Sequence, residues 1–371
     1  MSQTVSIESS SDLSEKVVHP LPIRDVRDLV KDLLEPNPWF YWPDFLLSIG
    51  AANVGIVFYI NPAQPAALRT VGFLTAVLCF YRATIFTHEL THFRRGTFKA
   101  FRVAWNALCG IPFLMPSFLY EDHRFHHVNH HYGTDDDSEY LPLGHGSKLD
   151  IAKYFLQALL VPLFGIVRFV VLTPITWFSK DFRNWLWARS SAVTAINWNY
   201  RRPLPEDESE WTQARVLETC AFLYGTTFFG LILSGVLHWS ILPYFYSIFA
   251  CVTLLNYLRT LGAHRYMSDG APMDYRGQIL DSYTIIGMPL VTELWAPLGL
   301  RYHALHHLIP SLPYHNLPKA HRRLVEGLPA NSAYHATIRP SLRDAVREVI
   351  AHAREESSSP VRSGMAVGLA D

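Results

Sequence analysis

Apolar residues run in long blocks along this chain, and polar positions gather between the blocks. Four blocks, residues 44–60, 68–87, 215–237 and 241–261, approach the length of about 20 residues that a helix needs to cross a hydrocarbon core. The tip NPAQPAA joins the first pair and HWSI the second, so the pattern predicts two hairpins of two spans each. Two further apolar stretches are interrupted. Residues 101–119 contain Pro112 and Pro116, and residues 151–178 contain Lys153, Pro162 and Arg168. Both read as interfacial or re-entrant segments. Residues 341–356 have a helical period, with Ser341 as the N-cap. The start is polar and serine-rich with no leader pattern, and the tail SSSPVRSGMAVGLAD has a disorder-prone composition. The expected organisation is a polar segment 1–40, a membrane domain 41–325, and a helix with a tail over 326–371. The expected fold is all-α, with four transmembrane helices in two hairpins, interfacial helices and a helical cap.

Charge orients this arrangement. The 371 residues carry 32 Lys+Arg against 32 Asp+Glu, and only 17% are charged, which fits a bilayer and leaves no basic footprint for nucleic acid. Basic residues gather in HFRRGTFK, WNYRRP, HRYMSDG and KAHRRL, on the side that the two hairpins leave for the termini. The positive-inside rule makes that side, the cap and both termini cytoplasmic; in a bacterium the membrane would be the inner one. Cys79, Cys109, Cys220 and Cys251 stand singly, which excludes a disulfide framework and a cysteine metal site.

The 18 histidines change the picture. His88 and His92 form HxxxH at the cytoplasmic end of the second block. His123, His126 and His127 form HxxHH, followed by His130 and His131; His303, His306 and His307 repeat HxxHH. On a helix, offsets of three and four residues share a face, so such imidazoles converge. Isolated His264 follows the last block. Neutral imidazole ligates iron, zinc, copper and nickel, and triplets on one face have little other use. His19, His145, His238, His335 and His352 stand alone and read as ordinary histidines. The clusters must meet to share a metal. A single crossing by either interrupted stretch would put them on opposite sides of the membrane.

The order HxxxH, HxxHH and a distant HxxHH resembles the membrane fatty acid desaturase/hydroxylase superfamily. The phrases HELTH, YEDHRFHHVNHHYGTDDDSEY, NYLRTLGAHRY and YHALHHLIPSLPYHNLPKAH carry that likeness over about residues 40–325. The resemblance implies a cytosolic catalytic cap holding two iron ions, with O2 as co-substrate. The reaction implied is insertion of a double bond into the acyl chain of an acyl lipid or acyl thioester, with hydroxylation as the alternative outcome. The implied ligands are His88, His92, His123, His126, His127, His264, His303, His306 and His307. A second register, His127-Val-Asn-His130-His131, also satisfies HxxHH; the 31-residue gap from His92 to His123 suits the first better. Thr260 stands where some relatives place an Asn four residues before the isolated histidine. Asp135, Asp136, Asp137 and Glu139 are candidates to orient the rings, as are Glu89 and His315 to support them.

Rival readings explain less. HELTH also fits HExxH, with Glu89 as the base of a zinc peptidase, but that leaves two HxxHH sets and His264 idle. A metal transporter would place ligands near mid-membrane, and a bis-histidine haem needs only two. No HPGG-type cytochrome b5 module or ferredoxin cysteine set is visible, so the reductant is expected to be a separate ferredoxin or cytochrome b5 type protein. Arg94, Arg95, Arg322 and Arg323 are candidates for its contact patch.

Overall fold

The computed structural model describes residues 23–94, 96–192 and 197–356. His19, Arg95 and the tail 357–371 lie outside the described residues. Helices dominate. Among the described residues the only strands are Thr284–Ile285 and Ile338–Arg339, paired in parallel with Thr284 opposite Ile338.

Helix α1 (Pro38–Ile60) opens with Pro38 in its first turn, and Asn37 caps it by accepting from Trp39 N at 3.0 Å. Helix α2 (Ala66–His92) returns beside it. Their backbones approach closely: a Cβ on Gly55 would lie 2.6 Å from Gly72 O. Both helices extend beyond the blocks read from hydropathy, on the cap side. For α2 the added residues are the polar run HELTH, and for α1 they precede a polar layer that the window counts against a span. Arg82 bonds Asp44 at 2.6 Å through both Nε and Nη2, and Tyr314 from the cap donates to Asp44 Oδ2 at 2.9 Å. Charges that satisfy each other this way do not end a helix.

The stretch 101–119 is broken, as expected. A short helix, Lys99–Trp105, passes through a π turn at Asn106–Gly110 to a 3-10 turn at Ser117–Tyr120. Asn106 ties the two ends, donating to Ser117 Oγ at 2.9 Å and accepting from Ser117 N at 2.8 Å. Helix α3 (His123–His126) follows.

Among the described residues five helices, one more than the four blocks read from hydropathy, are long and apolar enough to cross a membrane. The added one begins with α4 (Lys148–Ile166), which a Ser147–Asp150 capping box opens and a π turn carries on, giving one stretch, Lys148–Thr176. Arg168, which seemed to interrupt it, is buried against Glu218 and donates to Ser190 O at 2.9 Å. Helices α5 (Glu208–Leu233) and α6 (Ile241–Leu261) form the second hairpin, and α6 has the predicted bounds.

The cap comprises α7 (Tyr275–Leu280), α8 (Pro289–Trp295), α9 (His303–Leu308), α10 (Leu317–Gly327) and α11 (Leu342–Glu356). Ser341 caps α11, its Oγ accepting from Asp344 N at 3.3 Å. Glu348 then ties α11 to the core through Arg265 (2.8 Å) and Arg339 (2.9 Å).

Candidate metal centre

Four segments bring the histidines to one place. The last turn of α2 carries His88 and His92, and α3 carries His123 and His126 with His127 as its C-cap residue. Because α3 ends there, the second register, His127-Val-Asn-His130-His131, is not carried on a helix. His130 and His131 lie in turns beyond it. Their rings sit 4.2 Å apart, and His131 packs at 5.3 Å on Phe125. His264 is fixed by an antiparallel bridge to Ser282 just past α6. All six residues of α9 are buried, and its first turn hangs from Tyr283 O through Ala304 N at 2.9 Å.

Two groups of four result. His88, His92, His123 and His306 have ligand atoms within 4.8 Å of one another, and so do His126, His264, His303 and His307. His127 sits between them: its Nε2 lies 3.1 Å from both His123 Nε2 and His306 Nε2, and its ring lies 4.3 Å from that of His307. All nine histidines named from the sequence therefore meet.

Ring orientation shows what such a site can hold. His123 Nδ1 points at Glu139 Oε1 (2.8 Å), and His126 Nδ1 points at Asp137 Oδ2 (2.7 Å). His264 Nδ1 faces the Tyr132 hydroxyl at 2.8 Å, which itself donates to Asp281 Oδ2 at 2.7 Å. Tyr140 donates to the same carboxylate oxygen at 2.9 Å. With Nδ1–H donated outward, each Nε2 presents a bare lone pair. Yet the Nε2 atoms face one another, at 3.2 Å for His126 and His264, 2.8 Å for His264 and His303, and 3.0 Å for His303 and His307. For His126 and His264 both facing atoms are lone pairs, which repel, so that pair calls for an electron-pair acceptor between them. Metal–nitrogen bonds of about 2.1 Å at right angles put neighbouring nitrogens about 3 Å apart, close to these separations. Both ring nitrogens of His88, and Nε2 of His92, are buried without a hydrogen-bond partner. The donor set fits two metal ions.

Electrostatics keep the rings in the ligating form. Burial pushes the pKa of His127, His264, His303, His306 and His307 well below 6.5, and neighbouring rings add to the effect. His126 differs. Burial opposes its charge, but Asp137, with Glu139 and Asp281, outweighs burial and raises its pKa.

The other candidates lie elsewhere. Glu89 points away from the rings, accepting from the Tyr41 hydroxyl (2.6 Å) and Tyr314 N (3.1 Å), so it does not stand as the base of an HExxH site. His315 stacks on Phe40 at 4.7 Å and accepts from Asn37 N at 3.2 Å. Asp135 and Asp136 are exposed, whereas Asp137 and Glu139 are buried at the rings. Thr260 donates to Asn256 O at 2.9 Å and accepts from Arg259 Nη2 at 3.0 Å. Sequence reasoning missed Tyr132, Tyr140, Gln278 and Asp281. Gln278 Nε2 donates to His126 O at 3.0 Å and lies 3.1 Å from His307 Nδ1. The two tyrosines stand inside the quoted second phrase, a signal that was available; Gln278 and Asp281 carry none.

A largely apolar cavity of about 400 Å³ adjoins the first group, lined by Thr84, Thr87, Trp105, Phe113, Tyr120 and Asn256 among others. Tyr120 forms the wall between, its ring 4.9 Å from His123 and 6.2 Å from His88. Such a space suits an alkyl chain beside the rings.

Comparison with known proteins agrees with this geometry. The family model described as fatty acid desaturase matches residues 64–339. A ceramide hydroxylase of Caulobacter vibrioides (strain NA1000 / CB15N) is 38% identical over 337 residues, covering 90% of this chain and 95% of that protein. The chain belongs to the fatty acid desaturase family, and is an oxidoreductase of the desaturase/hydroxylase superfamily.

Proposed function

We propose that this protein is a membrane-embedded diiron hydroxylase acting on a ceramide-like lipid. One observation carries the reading: nine histidines, seven of them buried, gather as two groups of four with His127 between them, beside a largely apolar cavity. The sequence resemblance put desaturation first; the activity named for the Caulobacter relative supports hydroxylation instead. Iron, when bound, supplies the activation of O2 that puts one oxygen atom into a C–H bond while the other leaves as water, using two electrons and two protons. The chain's own residues would hold that iron: His88, His92, His123 and His306 on one side, His126, His264, His303 and His307 on the other, and His127 between them. Asp137, Glu139, Tyr132 and Asp281 fix the ring orientation. A separate ferredoxin or cytochrome b5 type protein supplies the electrons.

The same reading includes four crossings. The meeting of the clusters supports an even number of crossings between His127 and His264, so one of the three candidate helices there returns to its own side. Lys148–Thr176 is the best choice. Ser147 opens its first end beside the cap, and at its other end Arg168 bonds Ser190 and Ser191, where Arg202 donates to Phe118 O and pairs with Asp122. The site then faces the cytoplasm.

The test is expression in a host that makes ceramide, with lipid mass spectrometry and the His306→Ala variant as control. A ceramide that gains one oxygen atom only with the intact protein supports the proposal. Loss of two hydrogens instead would make it a desaturase, and an unchanged ceramide pool with altered phospholipid chains would overturn the substrate class.

A further inference from the structure

The polar lining of the cavity includes Arg168, Arg189, Ser190 and Arg201, and also a separate set of polar groups on the helices that carry the histidines, Thr87 on α2 and Asn256 on α6. Thr87 precedes His88 on α2, and its Oγ1 is buried with no hydrogen-bond partner. A helical threonine usually bonds the carbonyl one turn back. Here that carbonyl, Ala83 O, accepts from Trp105 Nε1 at 2.8 Å in addition to its helical amide, so its lone pairs are used. Thr91, one turn on, does bond its own carbonyl, Thr87 O, at 2.9 Å. Across the cavity, Asn256 on α6 turns Oδ1 toward Arg259 Nη2 at 3.1 Å. That leaves Asn256 Nδ2 without a partner among the described residues. Arg259 is buried, its Nε has no partner, and no carboxylate among the described residues lies within ion-pair distance. Glu139 acts on it from beyond contact and Tyr81 and Tyr120 stand beside it, so the guanidinium belongs to a polar network that Asn256 extends toward the cavity.

A tunnel for a plain alkyl segment has no use for these groups at the reacting end. We propose that Thr87 and Asn256, with Arg259 behind Asn256, form a subsite for the amide or hydroxyl group of the lipid. The carbon presented to the histidines then lies within a few bonds of the polar head rather than in mid-chain. Thr87 acts as hydrogen-bond donor or acceptor, Asn256 Nδ2 as donor to a carbonyl or hydroxyl oxygen, and the Arg259 charge favours the oxygen. Thr87 and Asn256 are positioning residues: they hold the substrate and leave metal binding to the histidines. The inference rests on the ceramide reading above and adds where on the molecule oxidation falls.

The experiment uses the full-length protein in native membranes, with a short-chain saturated ceramide as probe and the position of the new oxygen mapped by tandem mass spectrometry. Wild type is expected to oxidise a carbon near the amide. Thr87→Val and Asn256→Leu are each expected to raise KM for the probe roughly fivefold to tenfold, the loss of one neutral hydrogen bond, and to spread the product over several positions. Iron content should stay at the wild-type level, and Thr87→Ser should restore a single product. A wild type that oxidises mid-chain carbons, or variants with unchanged KM and product position, would overturn the subsite while leaving the ceramide reading intact. A wild type that leaves ceramide untouched would remove the reading itself.

Discussion

The two histidine groups differ in what stands behind them. In the group of His126, His264, His303 and His307, His126 leans on Asp137, His264 on Tyr132 and Asp281, and Gln278 lies against His307. In the group of His88, His92, His123 and His306, only His123 leans on a carboxylate, Glu139; His88 has no hydrogen-bonding partner at either nitrogen. The less supported group is the one beside the cavity. Outward partners fix a ring's tautomer and direction, so the buttressed group is the more preorganised for metal. The open group trades that support for a wall shared with substrate. A single site is thus built as a well-supported half and a less supported half, with Tyr120 between the latter and the cavity.

The comparison can be broken most directly at the rings. His126→Ala and His306→Ala are each expected to lower activity by more than about 100-fold, since loss of a supporting partner alone costs up to that much, and to lower iron content while the protein still inserts. Full iron and activity in both would sink the assignment. Asp137→Asn tests the buttress: iron affinity should fall about 10- to 100-fold, read by chelator competition. Because the open group has little support to lose, Glu139→Gln should lower affinity less; an equal loss would erase the distinction. Tyr132→Phe removes one link between His264 and Asp281, and a few-fold loss of affinity is expected, since Tyr140 still holds the carboxylate. The smallest effect concerns acid. Protons compete with metal for imidazole. Burial depresses the pKa of His303, His306 and His307, so their neutral form persists as pH falls through the ordinary value. Iron held by the group of His306 should therefore be retained at about pH 6, where exposed histidines are largely protonated, while His126, whose pKa Asp137 raises, makes the other group the first to lose metal. Loss of all iron by metal analysis at that pH would argue against the buried arrangement.

Much of this was legible in the chain. The bounds of α6 follow from its apolar block because no charged pair blurs its ends, and the break at 101–119 follows from Pro112 and Pro116. Paired charges hide from a hydropathy window: Asp44 shortened the first span on paper, and Arg168 concealed a fifth candidate helix. Histidine spacing named the rings, since helical periodicity is local. It did not show that α3 stops at His126, which is why a second register through His130 and His131 stayed open. Asp281 and Gln278 were out of reach for a different reason. Their role comes from tertiary contact across more than 100 residues, as with Gln278 and His126, separated by 152 positions.

That separation has a consequence for how the protein is made. The rings come from residues as early as His88 and as late as His307, and neither group of four is complete until α9 has left the ribosome. Every candidate span precedes α9, so the hydrophobic part of the chain emerges before the last ligands do. Loading with metal is then a late event in biogenesis. A chain truncated before His303 should reach the bilayer and remain permanently empty.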